Sequence, residues 1–422
     1  MLVPVAGGWR CAVCAVEVPI GAALSWRCPS AGDSRHHVLG LVDSDAAAAV
    51  VDDPNPFLAF RRGLAWDAFA ASLGLGDDER EVVVRRVDAA VAAVAGTGFV
   101  VTPFARADAL SDALGFSPSG GVWVKDETHQ VAGSHKARHL FTILLHLLTV
   151  EQAGVAPWRP SSRPSLAIAS CGNAALAAST LAAAVEWPIR VFVPIDANPR
   201  VVARLHELRA AVVECPRLAT DPPGDPCVLR FREAVAGGAV PFSVQGPENA
   251  WCLDGGRTIG WEMASTSLDR VFVQVGGGAF AACVGRGLRA GGSPVRLHAV
   301  QTEACAPLSR AWERAAAFGG DAGGHWSECM WPWESVGTSA ADGILDDETY
   351  DWLPVVSAMR ESGGGPVVVA ESVVRDAHAV GREHTGIDAS ATGTAGFAGL
   401  LAARASVGDD ERVAVIFSGI HR

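Results

Sequence analysis

Lysine is nearly absent from this chain. Only two of its 34 basic residues are lysines, Lys125 and Lys136, and the other 32 are arginines. A bias towards arginine codons accounts for most of this count, but it does not explain why these two lysines remain. Arginine can carry charge and bind phosphate, but it cannot act as a Schiff-base amine because its guanidinium stays protonated. Each remaining lysine is therefore a candidate for amine chemistry.

Positive charge is also scarce. The formal net charge is -12, and no basic run with interleaved aromatic residues occurs in the chain. A nucleic-acid partner is therefore not expected, because binding to nucleic acid requires a basic surface that displaces counterions. Charged residues make up only 19% and hydrophobic residues 49% of the chain. This composition excludes a disordered protein and allows a large buried core.

Segments for export or membrane insertion are lacking as well. Residues 1–10 do not combine a basic stretch with an apolar one, as a secretory signal does. The uncharged run 166–185 is mostly alanine and serine and is interrupted by Gly172-Asn173, which makes it too polar for a membrane helix. Ten cysteines in a long chain without a signal favour reduced thiols over disulfides. We expect a cytoplasmic protein with no membrane partner.

The order of the segments predicts an α/β fold. Residues 1–50 form a separate cysteine-rich block, and the acidic stretch 43–53 is interpreted as a linker. Residues 57–94 have an amphipathic helical pattern, and after residue 120 strands alternate with helices, which indicates mainly parallel sheets covered on both faces. Strands are predicted at residues 121–124, 166–169, 190–193, 211–213, 241–244, 271–275, 296–300 and 412–417.

Four strand ends carry candidate chemistry, and the first leads to Lys136. Gly133-Ser134 opens a helix after a polar loop, with Ser134 as the expected N-cap and Lys136 in the first turn. A lysine beside the positive end of the helix dipole has a lowered pKa and is electrostatically unfavourable there. Lys136 is therefore either a functional amine or a solvated lysine without a function.

The other three segments are turns that end buried strands. The turn 170–175 begins a helix whose N–H groups can hold a carboxylate or phosphate, or it is an ordinary capped turn. The triglycine turn 276–278 is suited to a single phosphate monoester or is simply flexible, and it matches neither a P-loop nor the GxGxxG fingerprint. Ser418-Gly419 follows the last strand, where open α/β sheets bind ligands.

Taken together and in this order, the four segments resemble the fold-type II pyridoxal-phosphate (PLP) enzymes, the tryptophan synthase β-like superfamily. Threonine synthase and threonine dehydratase are the most similar members. The resemblance covers residues 55–422, with support from Asn55-Pro56-Phe57, Thr102-Pro103 and the stretch 254–262, where Arg257 takes the place of the usual lysine. It implies PLP between a large domain, residues 51–145 and 250–422, and a small domain, residues 146–249. It also implies a homodimer.

The resemblance implies a role for each site residue. Lys136 forms the Schiff base with PLP and later takes the Cα proton, Ser418 faces the pyridine nitrogen, and Asn173 bonds the ring hydroxyl. The implied cofactor-binding set is Lys136, His135, Asn173, Gly276, Gly277, Gly278, Ala279 and Ser418. The implied set for the substrate carboxylate is Ser170, Cys171, Gly172 and Asn173.

A hydroxyl partner leaves the pyridine nitrogen neutral and the ring a weaker electron sink, which favours loss of a leaving group over transamination. The resemblance therefore implies a carbon–oxygen or carbon–nitrogen lyase, or a β/γ-replacement enzyme, acting on a small L-amino acid. An ammonia-lyase or dehydratase is the alternative, and a non-catalytic partner subunit is a further one. Threonine synthase itself is not favoured, because no phosphohomoserine phosphate site can be identified and Cys171 replaces the usual threonine or alanine.

The amino-terminal cysteines resemble the zinc ribbon that precedes some threonine synthases. Cys11-x-x-Cys14 and Cys28 supply three ligands, but Ala31 stands where a second CxxC would end. Either His36 or His37 can complete a Cys₃His set, and the predicted structural zinc site is Cys11, Cys14, Cys28 and His36. The alternative is a remnant of a ribbon that binds no metal.

Overall fold

The computed structural model of the protein describes residues 1–32, 36–289 and 295–421. Its strands are β1 (Leu2–Cys11), β2 (Glu17–Pro19), β3 (Leu39–Ala49), β4 (Phe104–Arg106), β5 (Gly121–Asp126), β6 (Leu166–Ala169), β7 (Ile189–Val193), β8 (Ala211–Glu214), β9 (Val240–Pro241), β10 (Arg270–Gln274), β11 (Arg296–Thr302), β12 (Gly365–Val369) and β13 (Arg412–Phe417). Its helices are α1 (Pro56–Ala59), α2 (Ala65–Ser72), α3 (Asp77–Ala95), α4 (Asp108–Ala113), α5 (Lys136–Gln152), α6 (Asn173–Ala184), α7 (Pro199–Glu207), α8 (Pro226–Ala236), α9 (Cys252–Gly255), α10 (Arg257–Met263), α11 (Ala279–Arg289), α12 (Pro307–Ala315), α13 (Trp326–Cys329), α14 (Trp352–Ser362), α15 (Glu371–Thr385) and α16 (Ala391–Ala403). Across the described ranges, none of these helices is both long enough and apolar enough to span a bilayer.

Two mainly parallel sheets form the body of the molecule. The larger has the order β12-β11-β10-β13-β5-β4 and is parallel except for the antiparallel edge strand β4. The smaller, in the order β8-β7-β6-β9, is parallel throughout. Strands β10 and β13 are almost wholly buried, as expected for parallel strands that have helices on both faces. The predicted α/β class with mainly parallel sheets is confirmed.

The strand predictions hold best where the apolar run is continuous. Strands β6 and β13 have the predicted bounds, because both are short buried runs flanked by polar residues. The strand predicted at 241–244 is mostly wrong, since β9 ends at Pro241. The backbone N–H of Gln245 donates to Ser243 Oγ at 3.3 Å, and this local bond accompanies a turn away from the sheet.

The amino-terminal block is a three-stranded antiparallel sheet in the order β2-β1-β3. The interpretation of residues 43–53 as a linker is wrong for most of that stretch, because β3 continues to Ala49 and pairs with β1. Residues 42–47 are exposed, so their composition resembles a linker while their backbone is bonded in the ladder. The block is attached to the body through Trp9, whose buried ring lies 5.1 Å from that of Trp251.

The arrangement of sheets supports a division into domains, which we retain as a proposal. The strands of the smaller sheet all lie within residues 146–249, the expected small domain. The strands of the larger sheet lie within 51–145 and 250–422, the expected large domain. The elements in the described part of residues 1–50 are β1–β3.

Close packing of α16 holds the centre of the large sheet. A Cβ atom on Gly396 would lie 2.8 Å from the carbonyl oxygen of Phe272 in β10, and one on Gly399 would overlap a Val300 methyl in β11. Only glycine permits this approach. Strands β5, β10 and β13 are parallel neighbours, so their carboxyl ends open on the same edge of the sheet. This edge is where the candidate residues meet.

Candidate active site

Lys136 is the first residue of α5, as predicted, but the cap differs from the prediction. His135 is the N-cap, with φ -56° and ψ -20°, and makes no side-chain capping bond. Ser134 is extended and forms an isolated antiparallel bridge with Gly419 at the end of β13. Its Oγ atom is buried and has no hydrogen-bond partner in the part of the chain that the structure describes. The Ser134 hydroxyl is therefore left available to a ligand rather than spent on the helix.

The environment of Lys136 favours the neutral amine. Burial lowers the pKa of this lysine below its usual value, although the carboxylates of Asp346 and Asp351 oppose the shift. The adjacent helix start acts in the same direction as burial, because the positive end of the dipole disfavours an ammonium. A larger neutral fraction makes the amine a better nucleophile towards a carbonyl group.

The triglycine turn joins β10 to α11 and depends on its lack of side chains. A Cβ atom on Gly276 would overlap the Asp346 carboxylate, and one on Gly278 would lie 3.0 Å from the Thr349 methyl. Gly278 also has φ +98°, which L side chains rarely adopt. Helix α11 begins directly after the turn at Ala279, so the turn lies at the positive end of a helix dipole. The segment has the properties of an anion cradle.

His135 packs beside this cradle. Its ring stacks on Phe280 with centroids 4.0 Å apart, and Nδ1 lies 3.1 Å from the carbonyl oxygen of Ser418. Since a carbonyl oxygen only accepts, Nδ1 carries the hydrogen and Nε2 presents a lone pair. Nε2 is buried without a partner among the described residues, and burial holds the pKa of the ring well below its usual value. A bond between His135 Nε2 and a phosphate oxygen would thus require a proton either on Nε2 or on the phosphate.

The turn after β6 reaches the same place from the smaller sheet. Ser170 Oγ accepts the backbone N–H of Gly172 at 3.3 Å, and Asn173 begins α6. A Cβ atom on Gly419 would lie 2.8 Å from Asn173 Nδ2, so the Asn173 amide borders the end of β13. Cys171 is exposed. The backbone N–H groups at this helix start can donate to a carboxylate ligand.

Ser418 is buried at the carboxyl end of β13, and its hydroxyl is oriented by a neighbour. Gln274 Nε2, at the end of β10, donates to Ser418 Oγ at 2.6 Å. Because that bond uses a lone pair of the oxygen, the hydroxyl hydrogen is left to donate to a second acceptor. The backbone N–H of Ser418 donates to Gly393 at 3.1 Å and fixes the residue to α16. A hydroxyl that donates in this way suits an unprotonated pyridine nitrogen as its acceptor.

The structure thus brings the four predicted segments together through specific contacts. Ser134 bridges Gly419, Gly419 borders Asn173, and Gln274 connects β10 with Ser418. The Asp346 carboxylate lies close to both Lys136 and the triglycine turn. The roles assigned to these residues remain proposals.

Sequence reasoning missed the segment 345–351, which covers the cradle. Thr349 and the chain's only tyrosine, Tyr350, contact the glycines, and the carboxylates of Asp346 and Asp351 influence Lys136. Burial raises the pKa of Asp346 to about 6 and that of Asp351 to about 7. A run of acidic residues before a helix is typical of solvent-exposed loops, so the sequence contains no signal that separates these side chains from surface carboxylates.

Lys125, Arg138 and Arg257 all take part in buried ion pairs. Lys125 Nζ and the Arg138 guanidinium both bond Glu262, and all three side chains are buried. Arg257 is buried against Asp254. Both arginines are therefore ion-pair partners, and Lys136 is the lysine that remains for chemistry.

A second cluster lies in the amino-terminal block. The ligand atoms of Cys11, Cys14, Cys28 and His37 all lie within 4.8 Å of one another. Cys14 and Cys28 have their sulfurs 3.5 Å apart, and His37 Nδ1 lies 3.6 Å from Cys11 Sγ. These separations are close to the roughly 3.8 Å between ligand atoms of a tetrahedral zinc thiolate site.

The structure places His37, and not the predicted fourth ligand His36, at the cysteine cluster. Its ring stacks on Trp326 with centroids 5.5 Å apart and an interplanar angle of 10°. The neighbouring His37 instead directs its ring to the cysteines. Because the His36 ring lies against Trp326, the His37 ring is the one that faces the cluster.

The residues at the strand edge fit PLP. Lys136 offers a partly neutral amine, the triglycine turn offers N–H groups to a phosphate, and Ser418 offers a hydroxyl to the ring nitrogen. The buried and unpartnered Ser134 Oγ is an additional polar atom that a bound group would satisfy. These are the functional groups that an amine-reactive aldehyde bearing a phosphate and a pyridine requires.

Comparison with known proteins agrees with this chemistry. No curated protein matched the sequence. Among solved structures, threonine deaminase isoform 2 from Solanum lycopersicum is 19% identical with a TM-score of 0.59, over 83% of this chain and 86% of its own. Maize serine racemase is 16% identical with a TM-score of 0.58, over 80% and 92%. A fungal L-serine ammonia-lyase from Rhizomucor miehei is 18% identical with a TM-score of 0.58, over 76% and 94%.

The solved structures show that the fold is shared. A match to a family model also identifies the cofactor. The family described as "Pyridoxal-phosphate dependent enzyme" matches residues 96–419, a range that contains Lys136, the triglycine turn and Ser418. The predicted resemblance to fold-type II PLP enzymes is confirmed. The chain belongs to the family of pyridoxal-phosphate dependent enzymes.

Proposed function

We propose that this PLP-dependent enzyme catalyses elimination or replacement at the β- or γ-carbon of a small L-amino acid. The observation that carries the proposal is the pairing of Gln274 with Ser418, in which the amide donates and leaves the hydroxyl hydrogen for the ring nitrogen. A hydroxyl does not protonate that nitrogen, whereas a carboxylate would. The weaker electron sink favours expulsion of a leaving group.

Different side chains of the site would activate and hold the substrate. PLP, when bound, withdraws electrons from the Cα atom of an amino acid. The Lys136 amine accepts the Cα proton, and its lowered pKa increases the fraction of the amine that is neutral and able to act as a base. The N–H groups at the start of α6 and the Ser170 hydroxyl hold the substrate carboxylate. Movement of this turn towards the large domain would exclude water from the site.

An amino-acid ammonia-lyase or dehydratase is the alternative function. Its support is the structural likeness to proteins named threonine deaminase and L-serine ammonia-lyase. The two functions share the loss of a leaving group and differ in whether a nucleophile or water completes the reaction. A non-catalytic subunit is disfavoured because Lys136 and the triglycine turn are both present.

The test begins with the visible spectrum of the purified protein. We expect an absorbance band of a PLP imine that shifts when the correct amino acid is added from a panel. Borohydride reduction followed by peptide mapping should place the label on Lys136, because Lys125, the other lysine, is buried in a charge pair. Lys136→Ala should lose the band. A protein that stays colourless with excess PLP would refute the proposal.

Product analysis separates the two functions. A 2-oxo acid with ammonia indicates the lyase or dehydratase, and a substituted L-amino acid formed with an added nucleophile indicates replacement. A D-amino acid would indicate racemisation, the reaction named for the maize protein. Mass spectrometry and chiral chromatography of the same reaction mixture distinguish all three.

We also propose that Cys11, Cys14, Cys28 and His37 bind a structural zinc ion. The four ligands and their spacing suit a closed Cys₃His site, which leaves no open position for catalysis. Metal analysis of the purified protein tests this, with one zinc per chain expected. A homodimer and a cytoplasmic location remain predictions, for which gel filtration and cell fractionation are the tests.

A further inference from the structure

The Asp346 carboxylate lies against the triglycine turn. It accepts the backbone N–H of Gly277, and its Oδ2 atom would overlap a Cβ atom on Gly276. The same Oδ2 would lie 3.5 Å from a Cβ on Gly277. A side-chain anion thus uses an N–H group that the cradle would offer to a phosphate.

A carboxylate and a phosphate compete for such a place. Both are oxyanions that accept backbone N–H groups at a helix start, and both are stabilised by the same dipole. Two anions in contact repel each other, so the cradle does not hold both in charged form. One of them has to leave, or the carboxylate has to be neutralised.

Asp346 is held in place by backbone contacts, and the residue as a whole is partly exposed. Its carbonyl oxygen accepts Cys305 Sγ at 3.2 Å, and the N–H of Asp351 donates to the Gly277 carbonyl oxygen at 2.8 Å. The segment therefore stays on the cradle when the Asp346 side chain turns away. A change of rotamer is enough to expose the N–H of Gly277.

The charges around Asp346 act in opposite directions. Lys136 attracts the carboxylate, whereas Asp347 and Asp225 repel it. Burial contributes most to a pKa raised to about 6. Proton uptake by Asp346 is therefore within reach near neutral pH, and a neighbouring phosphate would promote it further.

We propose that the Asp346 carboxylate occupies the phosphate position of the triglycine turn in the cofactor-free chain and has to be displaced or neutralised when a phosphate ester binds. Asp346 thereby limits the affinity for PLP at the position of the phosphate. The inference rests on the proposed assignment of this turn to the cofactor phosphate.

The experiment compares three ligands on cofactor-free protein. PLP carries both the aldehyde and the phosphate, pyridoxal lacks the phosphate, and pyridoxine 5'-phosphate lacks the aldehyde. Dissociation constants come from tryptophan fluorescence and, for the two aldehydes, from the imine absorbance. Asp346→Asn removes the charge with little change of shape, and Asp347→Asn is the matched control.

We expect Asp346→Asn to bind PLP and pyridoxine 5'-phosphate about tenfold more tightly than the wild type, because a like charge is removed from the phosphate position. Pyridoxal should gain distinctly less than the two phosphate esters, since no phosphate enters the cradle and only the effect of Asp346 on the Lys136 amine is removed. Asp347→Asn removes a charge that acts on Asp346 but does not touch the triglycine turn, and should change each affinity by less than about twofold. Asp346→Ser, checked by circular dichroism, serves as the second variant if the asparagine variant does not fold.

Three results would overturn the inference: equal affinities of Asp346→Asn and Asp347→Asn for PLP, weaker PLP binding by Asp346→Asn, or an equal gain for pyridoxal. An equal gain for pyridoxal would mean that the carboxylate acts on the Lys136 amine instead. Failure of the wild-type protein to bind PLP at all would contradict the proposed function, so the two failures can be told apart.

Discussion

A buried charge quartet supports the helix that carries Lys136, and it yields the sharpest prediction on stability. Arg138, two residues after Lys136, bonds Glu127 through two nitrogens at 2.9 Å each and also bonds Glu262. Lys125 bonds Glu262 and donates to the Thr102 carbonyl oxygen at 2.6 Å. The four charged side chains are at most 1% exposed, and their charges balance.

The perturbation is Glu262→Gln, which keeps the shape and removes one of the two negative charges. Lys125 and Arg138 then share the single carboxylate of Glu127. Breaking a buried ion pair costs about 3–5 kcal/mol because it leaves an uncompensated buried charge. That is a large part of the roughly 5–15 kcal/mol by which native domains are stable. We expect a free energy of unfolding lower by about this amount in urea.

The size of the effect should depend on pH. Burial acts to raise the pKa of Glu262, but the cations of Arg138 and Lys125 outweigh it and hold the pKa below its usual value of 4.5. The stabilisation by this carboxylate is therefore complete above the unfolded-state pKa and is lost as the pH falls below it. The difference in free energy of unfolding between the wild type and Glu262→Gln should therefore become smaller as the pH falls.

The control is Glu207→Gln, which breaks an exposed pair with Arg204 and should change stability by about 0.5 kcal/mol or less. The double variant Lys125→Met/Glu262→Met removes both partners of one pair and should recover most of the loss, because the Arg138–Glu127 pair stays intact. A loss for Glu262→Gln below about 1 kcal/mol would refute the reasoning.

Three further predictions concern separate parts of the molecule. Cys14→Ser should abolish zinc binding in metal analysis and lower the unfolding midpoint, and retention of stoichiometric zinc would contradict the proposed site. Arg270 bonds the Glu411 carboxylate and lowers its pKa to about 2. Glu411→Gln should therefore lower the free energy of unfolding at neutral pH and match the wild type near pH 2. A difference in stability that persists in acid would exclude this cause. Ser418→Ala should weaken PLP binding about tenfold in a titration, because one buried hydrogen bond is lost; unchanged affinity would argue against contact with the ring.

The sequence by itself was sufficient for the fold class and for the lysine. Strands such as β6 and β13 are continuous apolar runs between polar residues, and this local pattern needs no tertiary information. The scarcity of lysine drew attention to Lys136 because arginine cannot replace an imine-forming amine. The triglycine turn was equally visible, since three successive glycines after a strand permit few structural interpretations.

Other predictions failed where a distant partner decides the structure. Most of strand β3 was taken for a linker because its bonds come from β1, while the side chains of residues 42–47 are exposed. Ser134 was expected to cap α5, but pairing with Gly419, some 285 residues away, sets its backbone. The choice between His36 and His37 depends on which ring meets Trp326. No local pattern contains these contacts.

What the sequence determined is the set of chemical groups, and what the tertiary structure decided is which of them act on one another. Lys136, Ser418 and the triglycine turn are recognisable one at a time, because each depends on residue type and on a strand end. The position of Asp346 on that turn is not recognisable, because it depends on how the segment 345–351 folds back over β10. Aspartate is common on protein surfaces, but this buried carboxylate lies against the triglycine turn, where it competes with a phosphate.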